Sequence, residues 1–270
     1  MNGTDSERGS LVSAALHAIG GDRDDLLFAG GSTVEGLANP NSDIDLYVIG
    51  DIEITGTETA ARKHEKTATI EYRDSREVNL TVLDPGGIIE LDAAFRRSLA
   101  SLSGEQGIEQ LVDEDDLKVL HRIRTGRALQ RPDRLDALRT DLGTDQLARY
   151  LLNMHAIAAV NRLTDVAGER ADGHEESAAW MFREALVRVG QLVLAVDGET
   201  NSSSKWLVRL LLRGGASAAV RERVAQLLLG STVDLTTDVG ELKAHLATLV
   251  DASGTEAGPY LRCVARPKLG

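Results

Sequence analysis

GGSTVEGLANPNSDIDLYVIG, residues 30–50, joins a glycine-rich turn to two closely spaced acidic residues. The residues before it, DLLFAGG (25–31), form an apolar run ending in glycines, which predicts a strand that leads into a turn. DIDLYVIG (43–50) alternates polar and apolar residues with the period of a strand that has one solvated face. Because residues two apart in a strand point to the same side, Asp43 and Asp45 are predicted to lie side by side.

Two adjacent carboxylates raise each other's pKa unless a cation lies between them, and oxygen ligands of this kind suit Mg²⁺. Gly30 and Gly31 allow backbone N–H groups to approach an anion, and the Ser32 hydroxyl adds a donor. A helix beginning within residues 33–37 would direct its positive end toward the same anion. Either half alone is typical of an ordinary turn or a solvated strand face. Together, in this order, they favour a metal-bound triphosphate as the ligand.

The rest of the chain predicts two domains. Residues 66–85 read as two strands joined at Asp74-Ser75, residues 51–65 as a polar loop, and residues 11–19 and 88–101 as helices. From about residue 115 apolar residues recur at helical spacing, and glycines fall between the segments. The predicted helices cover residues 117–129, 135–166, 175–196, 205–213, 216–229 and 239–250. We therefore expect an α/β (α+β) domain with a mixed sheet over residues 1–114, and an all-α helical bundle over residues 115–270 that closes a cleft.

Charge and composition restrict the class of partner. Residues 1–114 hold 22 acidic and 9 basic residues, whereas residues 115–270 hold 20 and 21. The excess of acidic residues in the first half repels the phosphates of a nucleic acid. The charge distribution therefore favours a small-molecule partner over a nucleic-acid partner. The sequence has no apolar run of about 20 residues and no signal-peptide pattern, and its single cysteine excludes a disulfide framework. A cytoplasmic protein with no membrane partner is expected, and a homodimer is compatible with the sequence.

Gly31-Ser32, followed after ten residues by Asp43-Ile44-Asp45-Leu46, resembles the signature of the DNA polymerase β-like nucleotidyltransferase superfamily. The helical second half resembles that of antibiotic nucleotidyltransferases acting on kanamycin or lincosamides. The resemblance implies that Gly30, Gly31 and Ser32 hold the phosphates of ATP or another nucleoside triphosphate. It also implies two Mg²⁺ ions on Asp43 and Asp45, and transfer of a nucleotide, AMP from ATP, to a small molecule with release of pyrophosphate.

In this superfamily a third acid on a neighbouring strand completes the site, and here its position stays open among Glu71, Glu77 and Asn79. The best match in EVNLTVLD (77–84) is Asn79. Asparagine can ligate a metal through its carbonyl oxygen, but it cannot accept a proton at neutral pH. If Asn79 takes the place of the acid, an acceptor that already carries a lone pair is favoured, such as a carboxylate or an unprotonated amine.

The second half is expected to supply positive charge. Lys205, Arg209 and Arg213 recur every four residues in one helical stripe, and Lys205 is the residue expected to contact the nucleotide. The alternative is a solvated basic face beside a buried face. A second basic group, Arg122, Arg124, Arg127 and Arg131, is interpreted as a solvent face or hinge. Trp180 and Trp206 lie on apolar helix faces and are predicted to be in the core.

Two rival functions remain at this stage. One is nucleotidyl transfer to a protein side chain, as in toxin–antitoxin pairs whose antitoxin belongs to the superfamily. The other is a degenerate member that binds nucleotide, or nothing, and acts as an assembly module. Asn79 favours the degenerate reading, whereas the presence of both Asp43 and Asp45 counts against it.

Overall fold

The computed structural model describes residues 25–50, 59–62, 65–72, 76–105, 107–230 and 234–270. It divides into unit 1, formed by residues 1–96 and 112–145, and unit 2, formed by residues 97–111 and 146–270. The predicted helix at residues 11–19 and the predicted turn at Asp74-Ser75 lie outside the described residues.

Unit 1 is built on a six-stranded sheet with the order β3-β4-β5-β2-β1-β6. The strands are β1 (Leu26–Gly30), β2 (Ile44–Ile49), β3 (Thr59–Arg62), β4 (Glu65–Tyr72), β5 (Arg76–Leu83) and β6 (Arg127–Gln130). Strands β2 and β5 pair in parallel and all other neighbours are antiparallel, so the sheet is mixed.

The two faces of this sheet differ in chemistry because side chains alternate along each strand. One face carries the apolar core of Leu27, Ala29, Leu46, Val48, Val78, Leu80 and Val82. The other face carries Asp45 and Tyr47 of β2 beside Asn79 and Thr81 of β5. Burial of the apolar face fixes the register, since a slip of one residue would turn the whole apolar set toward the other side.

Among the described residues, four helices complete unit 1 or lead out of it: α1 (Gly31–Val34), α2 (Pro85–Ser101), α3 (Glu114–Thr125) and α4 (Pro132–Asp141). Helix α3 starts at a capping box in which the Asp113 carboxylate accepts from the Asp116 backbone and the Asp116 carboxylate accepts from the Asp113 backbone. It ends at Gly126, where a Cβ atom would lie 2.5 Å from Phe28 Cδ2. Helix α3 therefore packs closely on the sheet face that carries Asp45 and Tyr47.

The described part of unit 2 is helical. Its main helices are α5 (Leu147–Ala171), α6 (Glu175–Val196), α7 (Leu207–Leu211), α8 (Ala218–Leu229) and α9 (Leu235–Ala252), followed by short turns to the C-terminus. A buried ion pair fixes the connection between α7 and α8: Arg221 Nη2 lies 2.6 Å from Asp197 Oδ2, and Arg221 also donates to the carbonyls of Leu210 and Gly214.

The predicted fold class, an α/β unit with a mixed sheet and a helical second part, is confirmed. The predicted helix at 117–129 was too long, because residues 127–130 leave it to form β6 beside β1. The predicted helix at 135–166 is two helices, and residues 59–62 form a strand inside the expected polar loop. The prediction that Trp180 is in the core was wrong, since 62% of it is exposed. Among the described residues, no helix combines the length and apolar character required to cross a membrane.

Candidate nucleotide and metal site

The Gly30-Gly31 turn lies directly against Asp45. Gly30 is the register partner of Asp45 across β1 and β2. A Cβ atom on Gly30 would lie 2.8 Å from Tyr47 Cε2, and one on Gly31 would overlap Asp45 Oδ2 and lie 3.0 Å from Asp45 Cγ. Gly31 also has a φ of 67°, a left-handed conformation that favours glycine. Both glycines are therefore required for the turn and the carboxylate to lie this close together.

The loop that follows ties Asp43 back to the turn. The Thr33 hydroxyl donates to the Asp43 carbonyl over 3.1 Å. The backbone N–H groups of Leu37 and Ala38 donate to the Ser32 carbonyl over 2.8 and 3.0 Å. Helix α1 has a single turn, so these bonds, rather than a long helix, hold the Gly31-Ser32 segment beside the start of β2.

Asn79 occupies the position next to the two acids. The parallel register pairs Asp45 with Asn79, and Asn79 Nδ2 donates to Asp43 Oδ2. Glu77 is exposed and pairs with Glu71 on β4, one strand further from β2. The structure thus brings Asp43, Asp45 and Asn79 together. Glu77 lies two residues before Asn79 on the same face of β5, next to the start of β2.

A buried charged cluster continues the same face beyond Asp45. The Arg122 guanidinium lies 5.2 Å from the centre of the Tyr47 ring, and its Nη1 lies 3.3 Å from Glu65 Oε1. Burial raises the pKa of Tyr47 well above its usual range; Arg122 opposes the shift, and Asp45, Glu65 and Asp43 add to it. Arg122 is therefore a counter-charge on the site face. No local sequence pattern indicates this role, because Glu65 lies 57 residues from Arg122 along the chain.

A second contact from α3 holds the end of the turn. His121 Nε2 lies 3.2 Å from Glu35 Oε1, and only 8% and 10% of the two side chains are exposed. Glu35 directly follows α1, so α3 contacts both the residues after the glycine turn and the strand face beside it. This arrangement limits how far the turn can move relative to Asp45.

Comparison with known proteins gives one family match and one similar structure. Residues 14–95, which contain the turn, both aspartates and Asn79, match the family model described as nucleotidyltransferase domain. Most of the sheet of unit 1 therefore lies in a region that is similar to nucleotidyltransferase domains. The chain is also similar to a nucleotidyltransferase-like protein from Exiguobacterium sibiricum 255-15, with 14% identity, a TM-score of 0.46, and coverage of 94% of this chain and 76% of that one. No curated protein sequence gives a significant match.

The donor set beside the glycine turn fits a divalent cation. Asp43 and Asp45 offer carboxylate oxygens, the hard ligands that Mg²⁺ accepts, whereas Asn79 directs its N–H group at Asp43. The missing Cβ at Gly31 leaves the Asp45 carboxylate against the backbone of the turn. Phosphate oxygens held by that turn would therefore lie beside the two carboxylates.

Lys205 lies in unit 2, outside the residues that match the family model. Lys205 Nζ is 4.7 Å from the centre of the Trp206 ring, and the Arg209 guanidinium carbon is 5.5 Å from the same ring centre. Trp206 is half-buried beneath these two cations. A role for Lys205 in nucleotide binding stays a prediction.

Proposed function

We propose that the protein transfers a nucleoside monophosphate, AMP from ATP, to a small-molecule acceptor in a reaction that needs Mg²⁺. The observation that carries this proposal is the contact between the Gly30-Gly31 turn and Asp45, with Asp43 beside it. A phosphate-binding turn and a pair of metal-binding acids serve one ligand in this arrangement, a metal-bound triphosphate. The family match of residues 14–95 supports the same reaction class.

Each residue has a defined part in the proposal. Backbone N–H groups of Gly30 and Gly31 and the hydroxyl of Ser32 bind phosphate oxygens. Asp43 and Asp45 hold Mg²⁺, which supplies charge neutralisation for the attacking and leaving oxygens. The bonds from Thr33 to Asp43 and from Leu37 to Ser32 keep the phosphate-binding and carboxylate halves in register.

The acceptor's nucleophilic atom attacks the α-phosphorus, the bond between that phosphorus and the α–β bridging oxygen breaks, and pyrophosphate leaves with the bond's electron pair. A neutral Asn79 cannot take a proton from the acceptor. A hydroxyl acceptor would forgo a general base, which is typically worth about 10²- to 10⁴-fold in rate. The proposal therefore favours a carboxylate or an unprotonated amine, which attacks through an existing lone pair. The amine releases its proton to water after the new bond has formed. A carboxylate acceptor would give an acyl-adenylate.

A second candidate function is nucleotide binding without transfer. The observation in its favour is again Asn79, which stands where an acid is expected and donates to Asp43. In that case the protein would act as a nucleotide-dependent assembly module, and turnover would be absent although binding is retained.

Position-specific labelling separates these functions. The protein is incubated with Mg²⁺ and ATP labelled at either the α- or the γ-phosphate, together with defined alcohols, carboxylates and amines. Transfer predicts that the α label enters a product while the γ label leaves as pyrophosphate, and that Asp43→Asn abolishes both. Asp136→Asn, which removes an exposed carboxylate of α4, is the matched control and should be active. Transfer of the γ label, or turnover that survives Asp43→Asn, would refute the proposal.

A further inference from the structure

The pair Asp43 and Asn79 sets how many metal ions the site can hold. Asn79 Nδ2 donates to Asp43 Oδ2 across β2 and β5, and the parallel register places Asn79 beside Asp45. We propose that the site binds one divalent cation, the one that enters with the triphosphate, and that Asn79 excludes a second. This inference rests on the proposed function, because it concerns the same site.

The first step of the argument is charge. In two-metal sites the ions lie about 3.5–4 Å apart, so two divalent ions repel each other four times as strongly as two unit charges at that distance. Anionic ligands must offset this repulsion. Asp43 and Asp45 supply two negative charges, and Asn79 supplies none. A cation arriving with the triphosphate brings its own phosphate oxygens, whereas a second cation would depend on the protein carboxylates.

The second step is geometry. A metal between Asp43 and position 79 would need oxygen atoms from both residues, yet Asn79 directs its N–H group at Asp43 Oδ2. This hydrogen bond fixes Asp43 without a metal and covers the carboxylate oxygen that faces β5. The Asp45 carboxylate, in contrast, faces the Gly31 turn and therefore the proposed triphosphate.

The third step concerns the acids nearest to Asn79. Glu77 is exposed and Glu71 is its register partner on β4, whereas the partner of Asn79 on β4 is Thr69. Neither glutamate is the register partner of Asp45. Glu77 shares the face of Asn79, but Asn79 is the residue that lies in register with Asp45 and donates to Asp43.

The test counts Mn²⁺ ions bound per chain in the presence of saturating α,β-methylene-ATP, by equilibrium dialysis and electron paramagnetic resonance. The wild-type chain is expected to bind one Mn²⁺ with each nucleotide and to show no spin coupling. Asn79→Asp should bind two and show the coupled signal of a manganese pair. Asn41→Asp adds the same charge to the exposed loop before Asp43 and should leave the count at one.

Three outcomes would overturn the inference. Two coupled Mn²⁺ ions in the wild type would refute it and leave the proposed function standing. A count of one in both wild type and a folded Asn79→Asp variant would remove the role assigned to Asn79. Absence of nucleotide binding to the wild type would refute the proposed function and this inference with it.

A further variant tests whether Asn79 positions Asp43. Asn79→Ala should keep one bound ion and weaken its binding by roughly tenfold, because Asp43 loses its hydrogen-bond donor.

Discussion

Replacing Gly31 by alanine is the sharpest perturbation of the site. The added Cβ would overlap Asp45 Oδ2 and lie 3.0 Å from Asp45 Cγ, so the carboxylate must move by roughly 1 Å. A displacement of that size can cost about 10²-fold in a site that depends on position. The backbone adds a penalty of its own, because φ is 67° at Gly31 and a side chain in the left-handed region costs about 1–2 kcal/mol.

Gly143→Ala is the matched control for this experiment. Gly143 lies in the same unit and has a φ of 59°, but a Cβ there would have no atom within 4 Å. In both variants the backbone conformation should cost about 1–2 kcal/mol of stability, which corresponds to a fall in Tm of roughly 2–8 °C, and the contact with Asp45 adds to this cost only in Gly31→Ala. Only Gly31→Ala should lose affinity for Mg²⁺–ATP, by about 10²-fold or more in isothermal titration calorimetry. Equal affinities of the two variants would refute the claim that the turn and Asp45 form one site.

Three further predictions concern the charged interior. Arg122→Met should destabilise the protein by about 1–3 kcal/mol in urea unfolding, because Glu65 stays buried without its cation. Adding Glu65→Gln to this variant should restore most of the lost stability. If the double variant recovers nothing, the pairing of Arg122 with Glu65 is not what stabilises the protein. Arg221→Ala should cost about 3–5 kcal/mol, because the buried Asp197 carboxylate keeps its bonds from Ser217 but loses its cation. Replacing both residues by leucine should cost less, and equal losses would contradict this account. Burial and, secondarily, Arg188 lower the pKa of His155 to about 3, so the unfolded chain binds the proton more readily. Its contribution to stability is therefore present above about pH 6.5 and should fall by about 2 kcal/mol between pH 7 and pH 5. His155→Leu should remove that part of the pH dependence of unfolding, and an unchanged slope would contradict the assignment.

The local sequence predicted the parts of the fold that depend on local pattern. Strands β1 and β2 follow from an apolar run and a period of two, and helix α6 spans Glu175–Val196 as its spacing predicts. Strand β6 could not be predicted in the same way, because RALQ has no strand pattern of its own and becomes a strand by pairing with β1. Such pairing is a tertiary effect that overrides local preference.

The candidate site likewise has a part that the local sequence predicts and a part that depends on tertiary packing. The turn and the two aspartates lie within one short segment, so their spacing alone predicts that they meet. The choice among Glu71, Glu77 and Asn79 depends on the register of β2 against β5 and of β4 against β5, which a one-residue slip would change. The contact of Arg122 with Glu65 and Tyr47 depends on how α3 packs on the sheet. For Trp180 the local pattern misled the prediction. The residue lies on an apolar helix face and was predicted to be buried, but no other element in the described part of the chain packs over most of its side chain.

The most direct test of the central claim is a thermal shift measurement with ATP, GTP, CTP and UTP, each with Mg²⁺ and with EDTA. A ligand that binds only the folded state adds about 2.7 kcal/mol at a hundredfold excess over its Kd, so even modest binding raises the Tm measurably. The account predicts a shift with ATP that requires Mg²⁺ in the wild type and is absent in Asp45→Asn. A shift that is equal in EDTA, one that survives Asp45→Asn, or no shift with any nucleotide would contradict it.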